Sequence, residues 1–372
     1  MRSKRLSMEN SRLLSLDVMR GITIAGMILV NNPGDWAHVY APLEHAHWNG
    51  FTPTDMVFPF FMFMMGISAY FSLRKYDFTW NRACVWKIAK RTVVIFCIGL
   101  ALNGLSLAMF GGLEWERWRI LGVLQRLALA YGFASLAALS IPHKYLLHTA
   151  VLLLVVHSVL LLGSHSLELT PDSLVAVIDR VVLGESHLYR DVMADGTVIA
   201  FDPEGLLGVL SSVAHVLIGM WVGKMILSQR KRHEVIVLNL FVLGSLLLIC
   251  GLLLNYAIPV NKKIWSSTFV LVTCGFGSLL LALLMYDIDI RKRKRWTRFF
   301  ETFGVNPLYL YVQAELLARL IAYWGWGDLV MQEVLIPLLG DYPASLAWAL
   351  LFVFVNWIPG HFLYKRHLYI KI

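Results

Sequence analysis

Apolar residues in this chain run on for far longer than the helices or strands of a water-soluble protein require, and short polar stretches separate the runs. Ten windows have the length of about 17–25 residues that crosses a hydrocarbon core of about 30 Å. They lie at about 14–32, 55–73, 88–110, 119–140, 145–163, 206–227, 235–256, 265–286, 303–323 and 344–363. The pattern predicts an all-α fold, a polytopic membrane helix bundle of about 10 transmembrane helices, because backbone polar groups in lipid must be satisfied within each segment. The first run is as long as a span, holds Asp17 and Arg20 and lacks a small-residue cleavage site, so it reads as a retained helix. No internal repeat is visible and no stretch is long enough for a soluble domain, so residues 1–372 read as a single transmembrane domain. Its one long connection runs from about 164 to 205.

Composition agrees, with 58% hydrophobic and 15% charged residues and a mean hydropathy of +0.64. Charge adds an orientation. The N-terminus, alternate loops and the C-terminal tail hold 24 of the 33 basic residues, while the opposite loops hold Arg117, Arg119, Arg180, Arg190, Lys262 and Lys263. The bias toward basic cytoplasmic loops places both termini in the cytoplasm and makes 164–205 an acidic extracytoplasmic loop. The largest basic cluster, Arg291 to Arg295, then serves topology and headgroup contact; no nucleic-acid-binding fold accompanies it. Four cysteines, none on the outer face, imply neither a disulfide framework nor a metal site.

Within this apolar frame the polar constellations stand out. His45-Ala46-His47-Trp48-Asn49-Gly50-Phe51-Thr52-Pro53-Thr54-Asp55 precedes the second span. Thr52, Pro53 and Asp55 fit a cap, a first-turn proline and the acid of a capping box. Asp202-Pro203-Glu204-Gly205 offers a similar start to the sixth span, with Asp202 as cap. By the topology His45, Asp55, Asp202, Glu204, Asn31 and Asn32 all sit at outer helix ends. Arg126 lies inside the fourth span, where it needs partners, and carboxylates at that depth are the natural ones. Asp17 and Arg20 share a helix face and can pair. Asn306-Pro307 either starts a helix with Asn306 as cap or interrupts the ninth span. His45 and His47, two apart and without companion ligands, make a poor metal pair. An imidazole beside a carboxylate is instead a general base or nucleophile near neutral pH.

Taken in order, Leu14-Ser15-Leu16-Asp17-Val18-Met19-Arg20-Gly21, the His45-to-Asp55 run continuing to Gly66, Gly122-Val123-Leu124-Gln125-Arg126, Phe201-Asp202-Pro203-Glu204-Gly205, Lys263-Ile264-Trp265-Ser266-Ser267 and Gly304-Val305-Asn306-Pro307 form a recognisable set. The chain resembles the heparan-α-glucosaminide N-acetyltransferase family, including its shorter bacterial members, over nearly all 372 residues. The resemblance implies a multi-pass acyltransferase of the cell inner (plasma) membrane that moves acetyl from cytoplasmic acetyl-CoA to the amine of a glucosamine-type sugar outside. It puts the active-site histidine at His45, with Asp55 beside it. Asn31, Arg126, Asp202, Glu204 and Asn306 match polar positions of the family's cavity, and His47 receives no role. Relative to the lysosomal enzyme the chain lacks an N-terminal luminal region and one helix, which turns the expectation away from heparan sulfate itself.

Two mechanisms fit these residues: His45 as acyl-accepting nucleophile, or His45 as general base in a ternary complex. Asp55 or Glu204 would take the amine's proton, and Arg126 or Asn31 would stabilise the oxyanion. The expected partners are acetyl-CoA, an amino sugar and the bilayer, with no metal; Gly219-x-x-x-Gly223 permits a homodimer. A proton-coupled permease for amino sugars or cell-wall fragments is the alternative the same charges allow.

Overall fold

The computed structural model describes residues 13–112, 114–193 and 196–370. In chain order the helices are α1 (Leu14–Val30), α2 (Val57–Leu73), α3 (Arg82–Phe110), α4 (Val123–Ser140), α5 (Leu146–Gly163) and α6 (Leu174–Leu183). A two-stranded antiparallel hairpin, β1 (Arg190–Val192) and β2 (Val198–Ala200), precedes α7 (Leu207–Ser228). There follow α8 (His233–Leu254), α9 (Ser267–Leu284), α10 (Thr297–Val305), α11 (Pro307–Tyr323), α12 (Trp326–Val330), α13 (Ile336–Leu339) and α14 (Asp341–Lys365).

Among the described residues eight helical segments are long and apolar enough to cross a membrane. These are the segments built on α2, α3, α4, α5, α7, α8, α9 and α14. The first and ninth expected spans are the exceptions. α1 and α11 have 17 residues each, about 26 Å of helix, short of a core of about 30 Å. α11 is short because Asn306 leaves helical geometry, at φ −127° and ψ 56°, and cuts the ninth run into α10 and α11. Leu238, Val242, Leu246, Ile249 and Leu253 recur at helical spacing on α8 and are all exposed, as a face covered by lipid would be.

The packing resolves into two units. Of the described residues, one comprises those up to Glu44, Gln229–Leu243 and those from Gly277 to Ile370; the other comprises those within His45–Ser228 and Gly244–Phe276. In the first unit α1 and α10 touch backbone to backbone, since a Cβ on Gly304 would overlap the Asp17 carbonyl. Asp17 pairs with Arg20 one turn along, as the spacing predicts. In the second unit α7 is central and packs on α2, α4 and α5. Ser211, Ser212, Ala214, Gly219 and Gly223 give it the slim outline such an axis needs. A Cβ on Gly66 of α2 would stand 2.3 Å from the Val216 carbonyl, and one on Gly219 2.3 Å from that of Phe63. Gly219 and Gly223 therefore serve contact with α2 within the chain, and that stripe is not free for a homodimer.

The 164–205 segment is folded. Val175 and Ala176 of α6 and Ile199 and Phe201 of the hairpin join Leu161 and Ile264 in a buried cluster, with Trp48 packed against it. Trp48 also donates its indole N–H to the Leu167 carbonyl at 2.9 Å. Sequence periodicity did not reveal this small domain, because its apolar residues come from four separate segments.

Candidate active site

The segments before α2, between α3 and α4, from α5 to α7 and between α8 and α9 meet at one end of the second unit. Gly50, at φ +98°, turns the chain so that its N–H reaches the Val260 carbonyl at 2.7 Å. The amide of Asn261 donates to Asn49 Oδ1, and its own oxygen accepts from the Ile264 N–H. These bonds fix Lys262 opposite His45.

Asp55 is wholly buried at the start of a 3₁₀ turn, Thr54–Met56, that leads into α2. Its Oδ2 accepts from the Ala46 N–H and the Thr52 N–H, each at 3.0 Å, and from the Thr52 hydroxyl at 3.2 Å. Its Oδ1 lies 2.6 Å from His45 Nδ1 and 3.2 Å from Lys262 Nζ. Asp55 thus reaches back to the Thr52 N–H as a capping-box acid does, while its second oxygen serves the imidazole. A separation of 2.6 Å between a carboxylate oxygen and a ring nitrogen requires a proton between them, so Nδ1 carries a hydrogen and, in the neutral ring, Nε2 carries the lone pair. The His45 side chain is 43% exposed, which leaves Nε2 open to a reactant. Burial, opposed by Asp55 and Glu204, pulls the Lys262 ammonium below its ordinary range.

A second cluster is centred on Arg119, a loop cation with no expected role in the site. Its Nε and Nη2 clamp Asp202 at 2.8 and 2.7 Å, and Nη2 also meets Glu204 at 2.6 Å. Burial works against the guanidinium's charge, yet the paired carboxylates more than offset it and raise its pKa further. Asp202 turns its Oδ1 to the Glu204 N–H and does not cap α7. Asp179 of α6 takes that place, accepting the Leu206 N–H at 2.8 Å. Buried, with Asp202 nearby, Asp179 is pushed up to about 7 despite the Leu206 N–H and Arg126.

Arg126 departs from expectation most clearly. It is buried, but Arg119 has taken the carboxylates, and Arg126 donates only to the Gly205 carbonyl, at 3.2 Å. Its Nε and Nη1 have no partner among the described residues. Its guanidinium lies 5.0 Å above the ring of Trp265, a buried residue held at φ +50°. Cation–π attraction thus replaces the expected ion pair.

Of the residues singled out beforehand, the second unit brings His45 and Asp55 into direct contact, joins Asp202 to Glu204 and buries Arg126 one bond from Gly205. Asn31 and Asn306 belong to the first unit. Asn31 ends α1, with its N–H on the Met27 carbonyl. The Asn306 side chain binds the Leu368 carbonyl and the Ile370 N–H, so it ties down the C-terminal segment and caps no helix. Lys262, Arg119 and Asp179 were missed. The first two had been counted only as loop charges, although Lys262 adjoins the Lys263-Ile264-Trp265 motif. No group of residues suited to a metal ion is found among the described residues.

Residues 12–178 match the family model described as "Heparan-alpha-glucosaminide N-acetyltransferase, catalytic". A relative from Homo sapiens named heparan-alpha-glucosaminide N-acetyltransferase is 28% identical over 99% of this chain, and its Mus musculus counterpart 26% over 97%. The chain spans 61% of the length of each of these relatives. By sequence, then, this membrane-helical chain resembles the heparan-alpha-glucosaminide N-acetyltransferases along nearly its whole length, and it carries the match to their catalytic model over residues 12–178.

Proposed function

We propose that the protein is a transmembrane N-acetyltransferase of the cell inner (plasma) membrane that moves acetyl from cytoplasmic acetyl-CoA to the amine of a glucosamine-type sugar on the extracytoplasmic side. The observation that carries this reading is the contact of 2.6 Å between His45 Nδ1 and buried Asp55, which fixes Nδ1 as donor and leaves Nε2 as the attacking atom of the neutral ring, on a side chain that is 43% exposed. Acetyl-CoA carries several negative charges and does not pass hydrocarbon, whereas an acetyl group bonded to the protein needs no such passage.

In the first step Nε2 adds to the thioester carbonyl, the C–S bond breaks and CoA leaves as thiolate, to be protonated by solvent. The acetyl-imidazolium keeps its Nδ1–H on Asp55, whose charge balances it. In the second step the sugar amine adds to the acetyl carbon, the bond to Nε2 breaks, and the amine gives up a proton. Five donors already occupy Asp55, which makes it a poor proton acceptor. Glu204, with Arg119 on one oxygen, is the acceptor we assign. Arg126, with two nitrogens unpartnered among the described residues, is assigned to the developing oxyanion.

Single-turnover mixing with radioactive acetyl-CoA tests the covalent step. Rapidly quenched protein holds label at His45 when the amino sugar is omitted and loses it when glucosamine is added. Label that never appears on His45 would leave His45 as general base in a ternary complex.

A further inference from the structure

Lys262 is the amine beside His45 that the proposed chemistry does not use. Its Nζ stands 3.0 Å from His45 Nδ1 and 3.2 Å from Asp55 Oδ1. An acetyl group on Nε2 would lie one ring carbon beyond the atom that Nζ already touches, and a lysine's flexible four-carbon stem can carry the amine across that gap. Lys263, next in sequence, is turned away and engaged with Asp191 at 2.6 Å.

Two features favour the nucleophilic, uncharged form of this amine. Burial works against the ammonium and outweighs the support it receives from Asp55 and Glu204. Acetylation of Nε2 then leaves a cationic ring beside the same Asp55 oxygen, and repulsion in this mostly buried corner weakens the ammonium further. The side chain is 24% exposed, so a proton can leave it.

We propose that Lys262 is a site of self-acetylation: when no amino sugar is present, its amine takes the acetyl group that His45 holds. The bond from Nζ to the acetyl carbon forms, the bond to Nε2 breaks, and His45 returns to the neutral ring with its Nδ1–H on Asp55. Nζ sheds two protons in going from ammonium to amide. They pass to Glu204, whose charge reaches Lys262, and on to water, where one of them balances the proton taken up by the CoA thiolate. The resulting amide cannot hand the acetyl group on. It leaves Asp55 without its lysine cation and places an acetyl group beside the ring, so a protein idling with acetyl-CoA closes its own site.

Self-acetylation rests on the transferase reading, and one experiment separates the two. Purified protein is incubated with acetyl-CoA and no sugar, digested with chymotrypsin and sequenced by mass spectrometry. The wild type gains acetyl at Lys262 and not at Lys263, and it loses glucosamine-dependent transfer in step with the modification. Glucosamine present from the start, or His45→Ala, cuts the modification by about tenfold or more, because the held acetyl group is what makes the reaction fast. His45→Gln serves where His45→Ala does not fold. Lys262→Arg, which offers no primary amine, keeps its starting activity through the same incubation. Lys262 left unmodified in a wild type that acetylates glucosamine, or modified equally in His45→Ala, overturns the proposal. A wild type that acetylates neither glucosamine nor its own side chains overturns the transferase reading, and self-acetylation with it.

Discussion

At the scale of single residues, the end of the second unit holds two carboxylate systems with opposite tasks. Asp55 is loaded with five donors and serves to orient. Asp55→Asn, which replaces one oxygen by a donor, faces donors it cannot accept from. It lowers kcat by about 10²–10⁴-fold, with a smaller effect on KM, in a glucosamine-dependent acetyl-CoA assay. Asp202 and Glu204 depend on Arg119, and Arg119→Gln leaves both without their cation. The expected loss is about 3 kcal/mol, seen as a lower melting temperature, with most of it recovered in the triple variant that also carries Asp202→Asn and Glu204→Gln. Asp179 behaves differently. Its pKa is raised to about 7 from 3.8, so the folded protein binds a proton that the unfolded chain has released between those values. Stability on this account is highest below pH 4, falls as pH rises toward 7 and stays low above it. Asp179→Asn keeps an oxygen for the Leu206 N–H and removes this slope, which melting followed by tryptophan fluorescence from pH 5 to 8 will show.

At the scale of elements, His45 and Asp55 were legible because eleven residues of one motif contain both, together with the signals that end a loop and begin a helix. The pairing of Arg119 with Asp202 and Glu204 was not, since the partners stand more than eighty positions apart and only the folded 164–205 segment brings them together. Arg126 was found, yet its surroundings were misjudged for the same reason: the nearer arginine had claimed the acids. The helices show the same division. Hydropathy located the long apolar segments, whereas the break at Asn306 depends on the tie between its side chain and residues 368 and 370. The glycine contact between α2 and α7 gives a direct check on the packing. Gly66→Ala or Gly219→Ala places a methyl group 2.3 Å from a backbone oxygen that cannot move away alone. Each costs about 1–3 kcal/mol in thermal unfolding, whereas Gly163→Ala, with nothing within 4 Å, is neutral or slightly stabilising.

At the scale of the whole molecule, the account requires that the gathered loops face away from the cytoplasm. By the sequence topology Lys and Arg are concentrated in the opposite loops, and of the five connecting segments that topology assigns to the outer side, four contribute residues to the second unit. In a background without the four native cysteines, Val192→Cys, exposed on β1, is labelled in intact cells by a membrane-impermeant maleimide, and Lys231→Cys only after lysis. The central claim is a transfer of acetyl that depends on His45. Its most direct measurement is acetyl-CoA consumption by purified wild-type and His45→Ala protein in proteoliposomes, with and without glucosamine. The account predicts glucosamine-dependent consumption with matching formation of N-acetylglucosamine by the wild type, reduced at least a hundredfold in His45→Ala. Undiminished transfer by His45→Ala, or glucosamine uptake by the wild type without consumption of acetyl-CoA, would contradict it.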